Sequence, residues 1–273
     1  MFRPIKQAKT LYIKSLSNER FAAHFTRRHL KKIGASLDFM PQGGFRLTED
    51  KEELIIPRRS RLHYYRKGLK DRLAFLKMEY LGSIDVQFEP NDIIIDCGSN
   101  IGEFIRSLNV DASHRIFAFE PDPIEHQALQ VNIGAYAEVV HMALWNEHSD
   151  LEIFLGNDTG DSGVFQTNKN QKSIKVPACP IESYIKKVAP DGVVRLLKIE
   201  AEGVEPEVLS GARGLLTRTH FLAIDVGPER GSDKMSPLIS VLEILEEFNF
   251  KMVNFNCKRI TCLFENQNHV NGS

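Results

Sequence analysis

A short stretch of the chain, residues 96–103, combines an acidic side chain with two glycines in the order Asp-Cys-Gly-Ser-Asn-Ile-Gly-Glu. It follows the apolar run 93–95, which is typical of a buried strand, and precedes a helical pattern over 104–108. Glycines at 98 and 102 let the backbone approach a ligand closely, and the free amides of a helix start can receive its polar groups. The pattern predicts a nucleotide-binding turn between a strand and a helix.

The side chain at the first position of this turn indicates which nucleotide it would bind. Asp96 and Ile101 stand where a dinucleotide-binding turn has its first and third glycines. A carboxylate there would repel a pyrophosphate, whereas S-adenosylmethionine (SAM) carries a cationic amino group and a sulfonium. Glu120 ends the next predicted strand, where an acid can accept hydrogen bonds from both ribose hydroxyls. These residues predict a SAM pocket and argue against a dehydrogenase.

A second acidic cluster follows the apolar run 193–199. Alternation along a strand predicts that Lys198, Glu200 and Glu202 share one face. Burying such groups is costly unless they pair or contact a ligand, so the cluster is either a structural ion network or part of a site. In a site, one glutamate would be a general base with its ionisation set by Lys198. Asp225, which ends a further predicted strand, could lie opposite the acceptor.

Weaker candidates follow the third predicted strand, 139–144. Met142 and Ala143 occupy the position where such folds contact the adenine ring, and His141 is either a base or a structural histidine. Glu200 with Asp225 would form a conceivable pair of oxygen ligands for a divalent cation, but no paired-aspartate signature accompanies them, and no metal is predicted. The four cysteines are scattered, so neither a zinc site nor a disulfide framework is expected.

Three motifs together resemble the FkbM family of SAM-dependent methyltransferases: residues 95–103, residues 119–123, and the Leu-Lys-Ile-Glu-Ala-Glu-Gly-Val-Glu run over 197–205. The last is similar to the family's K-I-D-V-E-G-A-E signature, with Glu200 in place of the usual aspartate. The resemblance spans about 79–225 and implies methylation of a hydroxyl of a sugar, a polysaccharide or a related natural product. The cofactor contacts it implies are Asp96, Gly98, Ser99, Asn100, Gly102, Glu103, Glu120, Pro121, Met142, Ala143 and Glu200.

The elements that must position these residues are typical of an α/β fold. From residue 92 onward, short apolar runs alternate with helical patterns, which predicts a Rossmann-like, mostly parallel sheet covered on both faces. The last two strands, 252–255 and 260–264, should form an antiparallel edge. Residues 1–88 are predicted to be a helical cap that selects the substrate, and residues 89–273 the SAM-binding domain.

Charge is distributed unevenly along the chain, although Lys and Arg (35) almost balance Asp and Glu (36). Residues 1–80 hold more than twice as many basic as acidic residues. This segment is either an ordinary solvated face or a surface for an anionic partner, such as a membrane surface or RNA, with Phe21, Phe25, Tyr64 and Tyr65 available for stacking. No RNA-binding module is recognisable, so a glycan acceptor is favoured over RNA methylation or a non-catalytic SAM-binding role.

The location of the protein is also an expectation from the sequence. The chain has no run of eighteen apolar residues, and its first residues lack the pattern of a signal peptide. We therefore expect a cytoplasmic enzyme.

Overall fold

The computed structural model describes residue 13 and residues 15–156, 161–166 and 169–270. The chain divides into two compact units, residues 1–72 and 73–273. The predicted boundary at residue 88 falls within the second of these units. No helix among the described residues is both long and apolar enough to cross a membrane.

The first unit combines helical turns with a small sheet. Helix α1 (Asn18–Phe25) begins at Ser17, whose hydroxyl accepts a hydrogen bond from the amide of Arg20, and helical turns continue to Ile33. Three antiparallel strands follow in the order in which they occur along the chain. They are β1 (Ser36–Phe39), β2 (Phe45–Glu49) and β3 (Glu52–Ile56).

The sequence of this unit predicts one or two helices over about 10–33 and one short strand over 54–57, close to β3. The first two strands are short and are separated by a turn with two glycines, so their alternation is brief. The inward side chains of all three strands are nevertheless buried: Leu37, Phe45, Leu47, Leu54 and Ile56. The segment predicted as a helical cap therefore also contains a sheet.

The second unit is built on a seven-stranded sheet. Its strands are β4 (Ile93–Cys97), β5 (Arg115–Phe119), β6 (Glu138–Val140), β10 (Val194–Ile199), β11 (Thr219–Asp225), β12 (Phe250–Asn256) and β13 (Thr261–Asn266). They lie in the order β12-β13-β11-β10-β4-β5-β6. The five strands from β11 to β6 are parallel, whereas β13 is antiparallel to both of its neighbours, β11 and β12. The predicted mostly parallel sheet with an antiparallel edge is confirmed.

Both faces of this sheet are covered. Ile93 and Ile95 of β4 belong to one buried apolar cluster and Ile94 belongs to another, as expected for a strand buried on both sides. Helix α2 (Leu69–Leu81) begins before the boundary at residue 72 and ends in the second unit. The helices of the second unit are α2 (Leu69–Leu81), α3 (Glu103–Ser107), α4 (Pro123–Ile133), α5 (Ile181–Val188), α6 (Glu205–Ser210), α7 (Arg213–Leu216), α8 (Leu238–Glu246) and α9 (Gln267–Val270).

The third predicted strand, 139–144, is divided between two sheets. The amide of Met142 bonds back to the carbonyl of Val140, 3.1 Å away, so the chain turns there and leaves the main sheet. The next strand, β7, pairs instead with β9 in a small sheet of order β7-β9-β8. These strands are β7 (Ala143–Leu144), β8 (Ser149–Phe154) and β9 (Ser173–Cys179). The sequence also predicts a single helix over 206–216, but the structure divides this segment into two short helices, α6 and α7.

The parallel arrangement brings four strand ends to one edge of the sheet. Strands β4, β5, β10 and β11 end at Cys97, Phe119, Ile199 and Asp225, at neighbouring positions of the sheet order. Open α/β sheets bind ligands at this carboxyl edge. The two acidic motifs predicted from the sequence therefore meet at the position where the fold favours a site.

Candidate active site

The turn after β4 lies directly against the end of β10. Gly98 has a φ of +71°, and a Cβ at this position would lie 2.0 Å from the carbonyl oxygen of Glu200. A side chain is thus excluded both by the left-handed backbone and by the neighbouring strand. Ser99 closes the turn by donating a hydrogen bond from its hydroxyl to the carbonyl of Asp96, at 2.7 Å.

Lys198, on strand β10, holds this turn against the end of the strand. Its ammonium group lies 3.0 Å from Oδ1 of Asp96 and 3.1 Å from Oε2 of Glu200, and it donates to the carbonyl of Gly98 at 2.8 Å. Burial alone would lower the pKa of Lys198, but Asp96 and Glu200 outweigh it and raise the pKa above its ordinary value. Lys198 is therefore a charged group inside the fold. Asp96, which is fully buried, has this lysine as its ion-pair partner.

Both carboxylate oxygens of Glu200 have a bonding partner. Oε2 accepts a hydrogen bond from the Tyr80 hydroxyl at 2.6 Å, and Oε1 pairs with the guanidinium of Arg259. The same guanidinium donates from Nε to Oδ2 of Asp225 at 2.9 Å. Burial favours the protonated acid, yet Lys198 and Arg259 overcome this and hold the pKa of Glu200 well below its usual range. Glu200 is therefore a fixed anion.

Glu202 has a different environment, although it lies only two residues further along the chain. Strand β10 ends at Ile199, and Glu202 adopts a left-handed φ of +52°, so strand alternation does not extend to it. The predicted shared face holds for Lys198 and Glu200, which form an ion pair, and ends before Glu202. The side chain of Glu202 lies beside Gly163. A Cβ added to Gly163 would be 2.9 Å from the Cβ of Glu202.

The electrostatic neighbours of Glu202 are acids. Burial raises its pKa well above the ordinary value, and the negative charges of Glu229, Glu200, Asp161 and Asp225 raise it further. Within the described ranges, Glu202 forms no ion pair. The shift makes this carboxylate more basic than an ordinary glutamate, which is the direction in which enzymes tune a general base.

Glu120 lies at the end of β5, beside the turn. Its Oε2 accepts the amide of Asn100 and its Oε1 the amide of Asp122, each at 2.8 Å. Burial raises the pKa of Glu120 to about 8. Each carboxylate oxygen has a second lone pair, so the group can accept two further hydrogen bonds from hydroxyl donors.

The remaining predicted cofactor residues surround Glu120 and the turn. The carbonyl of Val140 accepts hydrogen bonds from the amides of both Glu120 and Met142, each at 3.1 Å, which places Met142 next to the acid. Glu103 is buried in the first turn of α3, and Ala143 is buried in the strand β7. A Cβ added at Gly102 would lie only 3.0 Å from methyl groups of Leu129 and Ile133. The carbonyl of Pro121 lies 3.0 Å from Nε2 of His141.

These groups fit SAM in chemical type. The Oδ1 atom of Asn100, in the middle of the turn, is buried and has no hydrogen-bond partner among the described residues, so it is an acceptor available to a ligand's donor. Glu120 supplies acceptors for ribose hydroxyls. Over the same described ranges, no group of three or more His, Cys, Asp or Glu side chains is arranged to hold a metal ion.

Two functional residues were missed by the sequence analysis. Tyr80 belongs to α2, and Arg259 to the turn between β12 and β13, far along the chain from the acids that they contact. Tyr80 lies in a helical pattern that explains it as a core residue, and Arg259 follows no recognisable motif. Only the three-dimensional arrangement identifies them.

Comparison with known families identifies the class of enzyme to which the chain belongs. The family profile described as "Methyltransferase FkbM domain" matches residues 96–252, more than half of the chain. The chain belongs to the FkbM methyltransferase family. It is therefore a SAM-dependent methyltransferase, and the matched segment contains every site residue predicted from the sequence. Tyr80 and Arg259 lie outside it.

Individual relatives of this FkbM methyltransferase are distant. The 2-O-methyltransferase NoeI of Sinorhizobium fredii (strain NBRC 101917 / NGR234) is 23% identical over 217 residues, which cover 72% of this chain and 88% of that protein. The methyltransferase FkbM structure from Methylobacillus flagellatus KT is 20% identical with a TM-score of 0.47, covering 76% of this chain and 52% of the other. This chain thus spans about half the length of that structure. Aeropyrum pernix fibrillarin, solved with natively bound SAM, is 12% identical with a TM-score of 0.41, covering 85% of this chain and 93% of the other.

Proposed function

We propose that this FkbM methyltransferase methylates a hydroxyl oxygen of a sugar or of a related glycan or natural product, with Glu202 as the general base. The observation that carries the proposal is the state of Glu202, which is partly buried at the carboxyl edge of the sheet among other acids, with its pKa raised. The name of the relative NoeI, a 2-O-methyltransferase, supports oxygen as the methylated atom.

The reaction needs a base because an alcohol must lose its proton when it is methylated. SAM supplies a methyl group on a positively charged sulfur. As the new O–C bond forms, the S–C bond breaks and its electron pair returns to sulfur, while the hydroxyl proton passes to Glu202. The rate gain expected from such a positioned base is about 10²–10⁴-fold. Most of the remaining catalysis would come from aligning the acceptor oxygen with the methyl group.

The other residues of the edge have supporting roles in this proposal. Asn100 and Glu120 would hold the amino-acid and ribose parts of the cofactor through their free acceptor positions. Lys198 holds the turn in place through Asp96 and the carbonyl of Gly98. Glu200, fixed as an anion, would set the negative potential that a cationic cofactor meets.

The test is transfer of a labelled methyl group from SAM to several acceptors in parallel: a panel of methyl glycosides, a bacterial glycan extract and total RNA. The wild type is compared with Glu202→Gln and with Glu243→Gln, a matched substitution at an exposed position of α8. We expect label in the carbohydrate samples, a loss of about 10²–10⁴-fold in Glu202→Gln, and no change in Glu243→Gln.

Separate outcomes would contradict separate parts of the proposal. Label in RNA alone would overturn the carbohydrate acceptor, and so would the absence of label from every sample. Full activity of Glu202→Gln would overturn the base. Calorimetric titration of each variant with SAM shows whether a lost activity reflects lost chemistry or lost cofactor binding; we expect Glu202→Gln to bind SAM as the wild type does.

A further inference from the structure

A short segment after β8, residues 161–166, contacts two parts of the candidate site. Its Gly163 forms a two-way backbone bridge with Phe154, the last residue of β8. The amide of Phe154 donates to the carbonyl of Gly163 at 2.7 Å, and the amide of Gly163 donates to the carbonyl of Phe154 at 3.1 Å. From this fixed position the segment contacts the residues that follow β5 and the turn that follows β10.

Ser162 joins the segment to the cofactor side of the site. Its hydroxyl donates to Oδ2 of Asp122 at 2.8 Å and accepts the amide of Gly156, also at 2.8 Å. Asp122 is fully buried, its Oδ1 accepts the amide of Ile124 at the start of α4, and its own amide donates to Oε1 of Glu120. Two hydrogen bonds, both through Asp122, thus connect Ser162 with the carboxylate that offers acceptors to ribose hydroxyls.

Gly163, the next residue, packs against the residue proposed as the base. A Cβ added to Gly163 would lie 2.9 Å from Cβ and 3.6 Å from Cγ of Glu202. The φ of Gly163 lies outside the left-handed region, so the φ angle does not by itself require a glycine there. The contact with Glu202 is what limits the size of the residue at this position.

A second contact joins the segment to the same turn. The guanidinium carbon of Arg230 lies 5.9 Å from the centre of the Phe165 ring, within the range of a cation–π contact. Nη1 of this guanidinium donates to the carbonyl of Gly203 at 2.7 Å, and the group also binds both carboxylate oxygens of Glu207 on α6. The residue that follows Glu202 is therefore linked to the segment as well.

Glu202 needs support of this kind because the sheet does not hold it. Strand β10 ends at Ile199, and Glu202 lies three residues further on with a left-handed φ of +52°. Strand pairing therefore does not fix its distance from Glu120, which ends the region around β5. A base that is misplaced by about 1 Å can cost about 10²-fold in rate.

We propose that Ser162 and Gly163 are positioning residues of methyl transfer. Ser162 fastens the segment to Asp122, and Gly163 holds Glu202 at a set distance from Glu120 and so from the cofactor pocket. Neither residue exchanges a proton with the acceptor; both act through the place that they give to the base. The inference rests on the role proposed above for Glu202.

The support that the segment gives to the turn can be tested without any acceptor. Hydrogen exchange of the full-length protein is followed at single amides by ¹⁵N NMR in the wild type, Ser162→Ala and Ser173→Ala. Ser173→Ala is the matched control, because its hydroxyl also donates to a carboxylate, that of Glu152, but at an exposed position.

We expect Ser162→Ala to accelerate exchange at the amides of Gly163 and Gly203 by about tenfold or more, the effect of losing one hydrogen bond to a charged group. Ser173→Ala should change neither amide. Acceleration at Gly163 without any at Gly203 would show that the segment does not support the turn, and it would overturn the proposal. Unchanged exchange at both amides would do the same.

The kinetic effect is measured with the glycoside that accepts most label in the experiment above. Gly163→Ala displaces Glu202 without altering its carboxylate, and we expect kcat to fall about 10–10²-fold. The Kd and the stoichiometry of SAM binding, measured by calorimetry, should stay as in the wild type. Ser162→Ala loosens the segment and should lower kcat less, about tenfold. Ser162→Thr, which keeps the hydroxyl, should recover most of this loss.

A double-mutant cycle separates a positioning role from general damage to the fold. If Gly163 acts through Glu202, adding Gly163→Ala to Glu202→Gln should lower kcat no further, because the glutamine cannot accept the proton. The same holds for Ser162→Ala, which also serves if Gly163→Ala does not fold. An equal loss in the wild-type and Glu202→Gln backgrounds would indicate a structural role unrelated to the base and would overturn the proposal.

The failure of one proposal can be distinguished from failure of the other. If Glu202→Gln remains fully active, the base is wrong and the positioning role falls with it, whatever the exchange rates show. If Glu202→Gln is inactive but Gly163→Ala and Ser162→Ala keep the wild-type kcat, the positioning role alone is wrong.

Discussion

Glu200 and Glu202 are two residues apart, carry the same functional group and are both withdrawn from solvent, yet their pKa values move in opposite directions. Burial acts on both in the same sense and raises the pKa. The difference comes from the partners: Glu200 has two cations and the Tyr80 hydroxyl within bonding distance, whereas acids surround Glu202. Pairs of titratable groups that their environments separate in this way commonly divide structural and proton-transfer roles between them.

The largest effect should come from removing Lys198, one of the two cations that balance the charge of Glu200. Lys198→Met keeps the length of the side chain but leaves Asp96 and Glu200 buried beside one another without their common partner. Breaking a buried ion pair in this way costs about 3–5 kcal/mol of unfolding free energy. Urea denaturation at neutral pH measures the loss.

The control for this prediction is Lys187→Met, at an exposed position of α5. Surface substitutions of this kind change stability by about 0.5 kcal/mol or less. If Lys198→Met lowered the unfolding free energy as little as the control does, Asp96 and Glu200 would have to be neutral in the native protein. The contrast between a charged Glu200 and a proton-binding Glu202 would then be lost.

The partners of Glu200 could be predicted from the sequence only in part. Lys198 and Glu200 occupy consecutive inward positions of one strand, and strand alternation predicts their contact. The same rule failed for Glu202 because β10 ends three residues earlier and the backbone turns into a left-handed conformation there. Alternation in a sequence carries no signal for the residue at which a strand stops pairing.

Long-range partners set the second limit. Arg259 neutralises Glu200 and Asp225 from the turn between the antiparallel edge strands, and its position depends on the order in which β11, β13 and β12 assemble. The sequence predicted those strands and their antiparallel edge, since their apolar runs are local features. It gave no register between them, and therefore no indication that the turn residue would reach the end of β11.

The same comparison predicts opposite effects of pH on stability. The folded-state pKa of Glu200 is depressed, so it stabilises the fold above its ordinary value near 4.5, and this contribution is lost as the pH falls. The folded-state pKa of Glu229 is raised from 4.5 to about 7, so it favours the fold while protonated, and that contribution is lost as the pH rises through about 7. Allowing for solvent screening of this partly exposed group, we expect about 2 kcal/mol.

Thermal denaturation of Glu200→Gln and Glu229→Gln between about pH 2 and 9, a range that includes pH values well below the ordinary pKa of Glu200 and above the folded-state pKa of Glu229, distinguishes the two glutamates. Glu229→Gln should flatten the decline of the melting temperature between about pH 4.5 and 7, the window between the ordinary and the folded-state pKa of Glu229. Glu200→Gln should lower the melting temperature most at neutral pH and least in acid. Parallel curves for the two variants would show that the acids share one environment and would remove the basis of the comparison.

The smallest effect should come from removing the Tyr80 hydroxyl, which donates a hydrogen bond to Glu200. Tyr80→Phe removes a hydrogen bond to Glu200, but Lys198 and Arg259 remain, so the charge is not left without partners. The expected loss is therefore about 1 kcal/mol, the usual net value of one buried hydrogen bond. Tyr184→Phe is the matched control, because its hydroxyl also bonds a glutamate, Glu138, at an exposed position. There water replaces the lost bond, and denaturant titration should give a change of about 0.5 kcal/mol or less. Equal losses in the two variants would mean that Tyr80 only fills space, and that the two cations alone keep Glu200 ionised.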